Sequence, residues 1–286
     1  MKPLHEGAIN MGKRKNIWTE DKIARYIKEG RGSGELSGYK PWLTNQNFPS
    51  LGRTHRLKGW KTNREHQLFS DIERNYFYIL DWADNVIDIR EQYPLDREKT
   101  TKIADKIQIN HSIEKANGTP IVMTTDFLIT VKEQNGLNYI ARSIKPAKEL
   151  DDRRVIEKLE VERQYWDNEN IDWGIVTEKD IPSILWRNIE QFHSNYFLDE
   201  GDKLLLENLY RDLKRQDGML LVALNTFDNN YNLEPGSALA MFKCLLANKF
   251  IKLDMMQTIN YSMRIENITF KKICVKEGTI NNEYIS

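Results

Sequence analysis

Asp126, Ser143 and Lys145 stand on two alternating apolar-polar segments separated by Asn135-Gly136, a favoured dipeptide for a two-residue type I′ hairpin turn. With Asn135 and Gly136 as the loop, Gln134 faces Leu137, Val131 faces Ile140 and Asp126 faces Lys145, with Leu128 and Ser143 next on the same face. Residues directly opposite share a face with Cβ atoms about 4.5–5.5 Å apart. Phe127, Ile129, Val131, Ile140 and Ile144 take the other, apolar face. The hairpin therefore predicts one core face and one face presenting a carboxylate beside an ammonium. Such a pair suits metal-assisted phosphodiester hydrolysis. A divalent cation polarises the phosphate and makes hydroxide from water at neutral pH, and hard oxygen donors suit magnesium. A nearby lysine can orient water and steady developing charge, or act as a base if its pKa is lowered. A structural salt bridge across a hairpin is the alternative on spacing alone.

A further acid must come from elsewhere in the chain. Glu73 is the best candidate, on a segment whose apolar residues Leu68, Ile72, Tyr76, Phe77, Ile79 and Leu80 follow helical spacing. Ser70-Asp71-Ile72-Glu73 also fits a capping box, in which Glu73 merely caps the helix. After the hairpin, a charged helix is expected over about 150–168, with Glu160 a possible supporting acid. Ile171 to Thr177 then reads as a buried strand. The order hairpin, helix, strand predicts an α/β fold, a mixed sheet covered by helices. Upstream, residues 1–17 read as a flexible arm, 18–29 as a helix, and 49–66 as a basic loop. Beyond a linker at 178–182, short helices are expected at 184–196, 202–215, 219–227 and 237–247. Two β-like runs at 250–255 and 263–271 follow, a pattern like a winged-helix module. In that reading, 237–247 is the recognition helix. The expected domains are 18–180 and 181–286.

Length and charge bound the rest. At 286 residues the chain suits two domains, and its 42 basic and 42 acidic side chains balance. Any nucleic-acid surface must therefore be local. Arg53, Arg56, Lys58, Lys61 and Arg64 cluster just before the Glu73 helix and are the candidate phosphate contacts; an ordinary solvated loop is the alternative. The five histidines have no metal-ligand spacing. Cys244 and Cys274 form no Cys-x-x-Cys pair, which fits a reducing compartment. No secretory signal or membrane span is legible, so a cytoplasmic location is expected.

Asp126 and Ser143-Ile144-Lys145 echo the PD-(D/E)xK nuclease pattern, with Thr125 where proline is usual and Ser143 at the usual acidic position. Longer stretches resemble the TnsA-like endonuclease subunits of heteromeric bacterial transposases. They include IARYIKEGRGSG (23–34), YKPWLT (39–44), PSLGRTHR (49–56), HQLFSDIERNYFYILDW (66–82), DIREQYPL (88–95), TTDFL (124–128), IKPA (144–147) and LEVERQYW (159–166), in matching order. The resemblance implies a restriction-endonuclease-like fold and a catalytic trio of Glu73, Asp126 and Lys145. It also implies metal ligands Glu73, Asp126 and the carbonyl of Ile144, with Mg²⁺ as cofactor and Mn²⁺ able to substitute. Family members commonly carry glutamine where Ser143 stands. The implied activity is endonuclease cleavage at the 5′ ends of a transposon during cut-and-paste DNA transposition. Implied partners are double-stranded DNA, a DDE-class transposase subunit and a regulatory AAA+ ATPase that engages the C-terminal region. A stand-alone restriction or repair nuclease, and a non-catalytic DNA-binding adaptor, are the alternatives.

Overall fold

Alternating side chains over residues 124–144 make two strands, β4 (Thr124–Glu133) and β5 (Gly136–Ile144), paired antiparallel. In the computed structural model, which describes residues 17–47, 53–197 and 202–271, the turn is Gln134-Asn135. Glu133 pairs with Gly136, which takes φ +125° as it opens β5. The expected turn was one residue later, so every β4 residue meets a partner two positions earlier than expected. Val131 lies opposite Asn138, and extending the ladder past Phe127–Arg142 sets Asp126 level with Ser143 instead of Lys145. A slip of two keeps every side chain on its expected face.

β3 (Val86–Pro94) pairs antiparallel with β4, and β6 (Asp172–Val176) parallel with β5, giving a mixed sheet ordered β3-β4-β5-β6. The parallel pair needs a crossover, which α4 (Arg153–Asn168) supplies. One face buries Phe127, Ile129, Val131 and Ile144 against Phe77 and Leu80 of α2 (Asp71–Trp82). On the other face Leu128 and Ala141 pack on Ile103 and Ala104 of α3 (Arg97–Lys106) and on Val161, Tyr165 and Trp166 of α4, so helices cover the sheet as expected. Apolar residues on both faces demand two layers of helix.

The basic segment before α2 is a small hairpin, β1 (His55–Lys58) and β2 (Glu65–Leu68), where a loop was expected. It is clamped to β3 by Glu91, a fully buried acid. Arg64 gives Glu91 two hydrogen bonds, at 2.8 and 2.5 Å, and the His66 ring and the Gln67 amide lie at 2.8 and 3.1 Å. Upstream, α1 (Glu20–Lys28) starts at Thr19 and buries Ile23 and Tyr26 against Trp18 and Trp42. Gly32 sits at φ +76° against Pro94, whose Cγ would lie 2.1 Å from any added Cβ, so only glycine fits there. The arm expected at 1–17 lies, except for Ile17, outside the described residues, as does Cys274.

Downstream come α5 (Ser183–Glu190), α6 (Lys203–Arg215), α7 (Leu220–Asn230) and α8 (Ser237–Ala247). Two-residue strands follow, β7 (Ile251–Lys252) paired antiparallel with β8 (Thr269–Phe270). The expected linker is packed: Ile181 is buried in the sheet core and Asp180 accepts the Thr177 amide at 2.8 Å. These helices dock on α2 through buried Asp81, which accepts the Trp60 amide at 2.8 Å and contacts the His193 ring at 2.9 Å. The Trp60 ring stacks on His193, centroids 4.6 Å apart. α8 buries Ala238, Met241, Phe242 and Cys244 through Ala247, which leaves little free surface for a helix that must enter a DNA groove. Among the described residues no helix is long and apolar enough to cross a membrane.

The Glu91 clamp makes a stability test. Glu91→Gln strips the charge from Arg64 and His66, and should cost about 3–5 kcal/mol in a urea melt. Burial alone would raise the Glu91 pKa, but His66 and Arg64 more than offset it and hold the carboxyl well below its usual range. A depressed folded pKa contributes stability that is full above the unfolded value of about 4.3 and is lost as pH falls below it. Wild-type stability should therefore drop as pH falls below about 4, while the Gln variant shows a shallower acid limb. Equal acid limbs would remove the clamp from the account.

Candidate active site

Glu73 is placed by local sequence. Ser70 caps α2 and accepts the Glu73 amide at 3.1 Å, while the Glu73 carboxylate accepts the Ser70 hydroxyl at 3.0 Å and the Phe69 amide at 2.9 Å. The capping box anticipated from the sequence is thus real, with the return bond made to Phe69. It does not exhaust the carboxylate, whose two oxygens offer about four acceptor positions. Glu73 is only 6% exposed. Burial first, and the nearby Asp126 charge second, push its pKa up. Helix acid and hairpin acid therefore feel each other directly, the condition a bridging cation relieves.

Asp126 leaves β4 on the side where β5 ends. Its Oδ2 accepts the Ile144 amide at 2.6 Å and the Lys145 ammonium at 3.1 Å. The same ammonium donates to the Ile144 carbonyl at 2.8 Å. One cation already bridges the two oxygens, Asp126 carboxylate and Ile144 carbonyl, that the sequence resemblance assigns to a metal. Burial would lower the Lys145 pKa, but Asp126, Glu162 and Glu73 together raise it. That direction is opposite to the lowering a lysine base would need. The donor set is hard oxygen throughout and fits a divalent cation that keeps several waters. Among the described residues no three His, Cys, Asp or Glu side chains form a metal-holding group.

Both departures from the nuclease pattern lead to one residue that sequence reasoning missed. The Thr125 hydroxyl donates to Glu162 at 2.7 Å, the Ser143 hydroxyl donates to the same oxygen, and the Trp173 indole reaches it at 3.1 Å. The Trp166 indole donates in turn to Thr125 at 2.7 Å. Glu162 is buried from α4, and burial followed by the Asp126 charge raises its pKa. The expected supporting acid, Glu160, instead pairs with Arg163 at 2.8 Å on the surface. A signal was present. Glu162 sits between Leu159 and Trp166 at helical spacing, a carboxylate on an apolar stripe.

The five candidate DNA contacts divide. The Arg64 side chain is 8% exposed and committed to Glu91, and the Lys61 ammonium donates to the Ala83 carbonyl at 2.7 Å. Neither is open to a phosphate. Arg53, Arg56 and Lys58 are exposed on or beside β1, with Arg56 3.7 Å from Glu65 and Lys58 over the Phe197 ring. His66 is fully buried between Thr62 and Glu91, and His55 pairs with Asp71.

Comparison with known proteins identifies the family. Residues 83–178 match the family model described as TnsA-like endonuclease N terminal, which spans Asp126, Lys145 and Glu162 but begins after Glu73. Residues 180–255 match the model described as TnsA endonuclease C terminal. The transposon Tn7 transposition protein TnsA of Escherichia coli is 41% identical over 245 residues, covering 85% of this chain and 89% of that protein. The fold, the two matched regions and this relative together show that the chain belongs to the TnsA endonuclease family.

Proposed function

We propose that Glu73, Asp126 and Lys145 form the cutting centre of a transposon-end DNA endonuclease that works within a multi-subunit transposase. The observation that carries the reading is the convergence of the Asp126 carboxylate and the Ile144 carbonyl on one ammonium, with the Asp126 charge also raising the pKa of buried Glu73. The family is one of endonucleases, so a divalent metal is expected, and the ligands supplied by the chain are Glu73, Asp126 and the Ile144 carbonyl. Mg²⁺ suits them, with Mn²⁺ a substitute; bound there, it would polarise the phosphate and generate hydroxide.

The protein's own groups do the rest. Asp126 is fixed by the Ile144 amide, so its free oxygen keeps a set direction. Glu73 is fixed by its cap at the end of α2, where the helix dipole favours negative charge. Lys145 holds positive charge where a phosphate loses its leaving oxygen, and can orient the attacking water. Ser143, tied to Glu162, acts by holding the end of β5. The reaction read from this centre is hydrolysis of one strand beside the 5′ end of the element, leaving a 3′-hydroxyl and a 5′-phosphate. A DDE-class subunit would cut and join the 3′ ends. Residues 18–180 would be the catalytic domain. Residues 181–286 would be a winged-helix-like module engaging DNA and an AAA+ ATPase. Its order of helices before an antiparallel strand pair supports that reading, with α8 serving the core of the module. Arg53, Arg56 and Lys58 are the phosphate contacts we retain.

In the reconstituted transposase, Asp126→Ala should abolish 5′-end cleavage and Mn²⁺ binding by calorimetry. Lys145→Ala should keep the metal and lose about 10²–10³-fold in cleavage rate. Retained cleavage in both variants would overturn the centre. Glu73 has two duties that substitution separates. Glu73→Gln keeps a capping acceptor and should melt like wild type while losing metal binding. Glu73→Ala should lose about 1 kcal/mol of stability as well. A Gln variant that binds metal normally would reduce Glu73 to a helix cap.

A further inference from the structure

α4 carries a row of charge beside the cutting centre. Arg154, Lys158 and Glu162 repeat every four residues and so share one helix face. The Glu162 end of the row is fixed, because its carboxylate takes the Ser143 hydroxyl two residues before Lys145. About 6 Å along the axis, toward the helix N-terminus, comes Lys158, and one turn further Arg154.

The other cations of this helix have acids. Arg153 and Arg154 reach Glu157 at 2.9 and 3.0 Å, and Arg163 reaches Glu160 at 2.8 Å. Lys158 differs. It is exposed, and no described residue gives its ammonium a hydrogen bond or a carboxylate within ion-pair distance. The charges that act on it are Arg154, Lys145 and, with opposite sign, the Asp152 that caps the helix. Burial of its stem, then Arg154 and Lys145, lower its pKa from the usual lysine value. Arg154 and Lys145 have acids of their own and Lys158 has none within ion-pair distance among the described residues, so it is the charge on this face that an anion can pair with.

We infer that Lys158 seats a backbone phosphate of the strand being cut, next to the scissile one. The anion is a DNA phosphodiester because Lys158 stands about one helical turn from Glu162, whose carboxylate holds Ser143 beside the cutting centre proposed above, and the inference rests on that centre. Such a contact carries no sequence information; it fixes the register of the strand over the site.

The test uses the full chain in the assembled transposase, with synthetic transposon ends. Lys158→Ala should raise the apparent KM for DNA about tenfold. It should also leave the saturated rate within about threefold of wild type. The slope of log rate against log salt should flatten by about 0.9, one phosphate's worth, and Lys158→Arg should restore it. A neutral methylphosphonate walked along the cut strand should weaken wild type at one linkage near the cut, and at that linkage cost Lys158→Ala nothing more. Wild-type KM and salt slope in Lys158→Ala, or methylphosphonate losses that add to it at every linkage, would overturn the seat. Asp126→Ala run alongside separates the failures. Cutting by that variant sinks the centre itself, whereas an inactive Asp126→Ala beside a normal Lys158→Ala sinks only the phosphate seat.

Discussion

The ammonium of Lys145 pairs with Asp126 at 3.1 Å and also feels the charges of two more acids, Glu162 and Glu73. Acids gathered in a buried place raise each other's pKa, as Asp126 does to Glu73 and to Glu162. One lysine does not neutralise three of them. The arrangement is tolerable because each acid is held by donors of its own. Glu73 has the α2 cap, Asp126 has the Ile144 amide, and Glu162 has Thr125, Ser143 and Trp173. The raised pKa values of Glu73 and Glu162 express this imbalance, which the divalent cation proposed above would relieve, and the rest of the fold holds the acids in place.

That service explains the architecture. The acids come from three elements, α2, β4 and α4, which a four-stranded sheet holds in register. Helices on both sheet faces bury the apolar strand residues, and Lys145 follows directly on the last residue of β5. The far end of α2 is anchored too. Asp81 ties it to Trp60 and His193, so the C-terminal helices and the β1–β2 hairpin grip the helix that delivers Glu73. Lys249 adds a bond to the Trp82 carbonyl and an ion pair with Asp84. The C-terminal helices that grip α2 at this end are thereby connected to the Glu73 end of the same helix.

The sequence was most legible where chemistry is local. Period-two alternation assigned Asp126, Leu128 and Ser143 to one face and Phe127, Ile129 and Val131 to the other, and α8 runs over the span its apolar pattern suggested. The turn was less legible, because Asn135-Gly136 and Gln134-Asn135 differ by one step and only strand packing chooses between them. Asp126 therefore meets Lys145 diagonally, past the end of the strand. Charge was the least legible. Arg64 looked like a phosphate contact and is the partner of Glu91, because a buried acid 27 residues away leaves no local trace. Glu162 left one local sign, its place on an apolar helix stripe, but its partners, Thr125 and Ser143, lie on two other elements.

Anomalous diffraction from crystals grown with Mn²⁺ would test the centre most directly. The expected result is one peak within coordinating distance of the Glu73 and Asp126 carboxylates and the Ile144 carbonyl, with the Lys145 ammonium displaced from that carbonyl. No peak at saturating Mn²⁺, or a peak elsewhere with Glu73 still engaged only in its cap, would contradict the account.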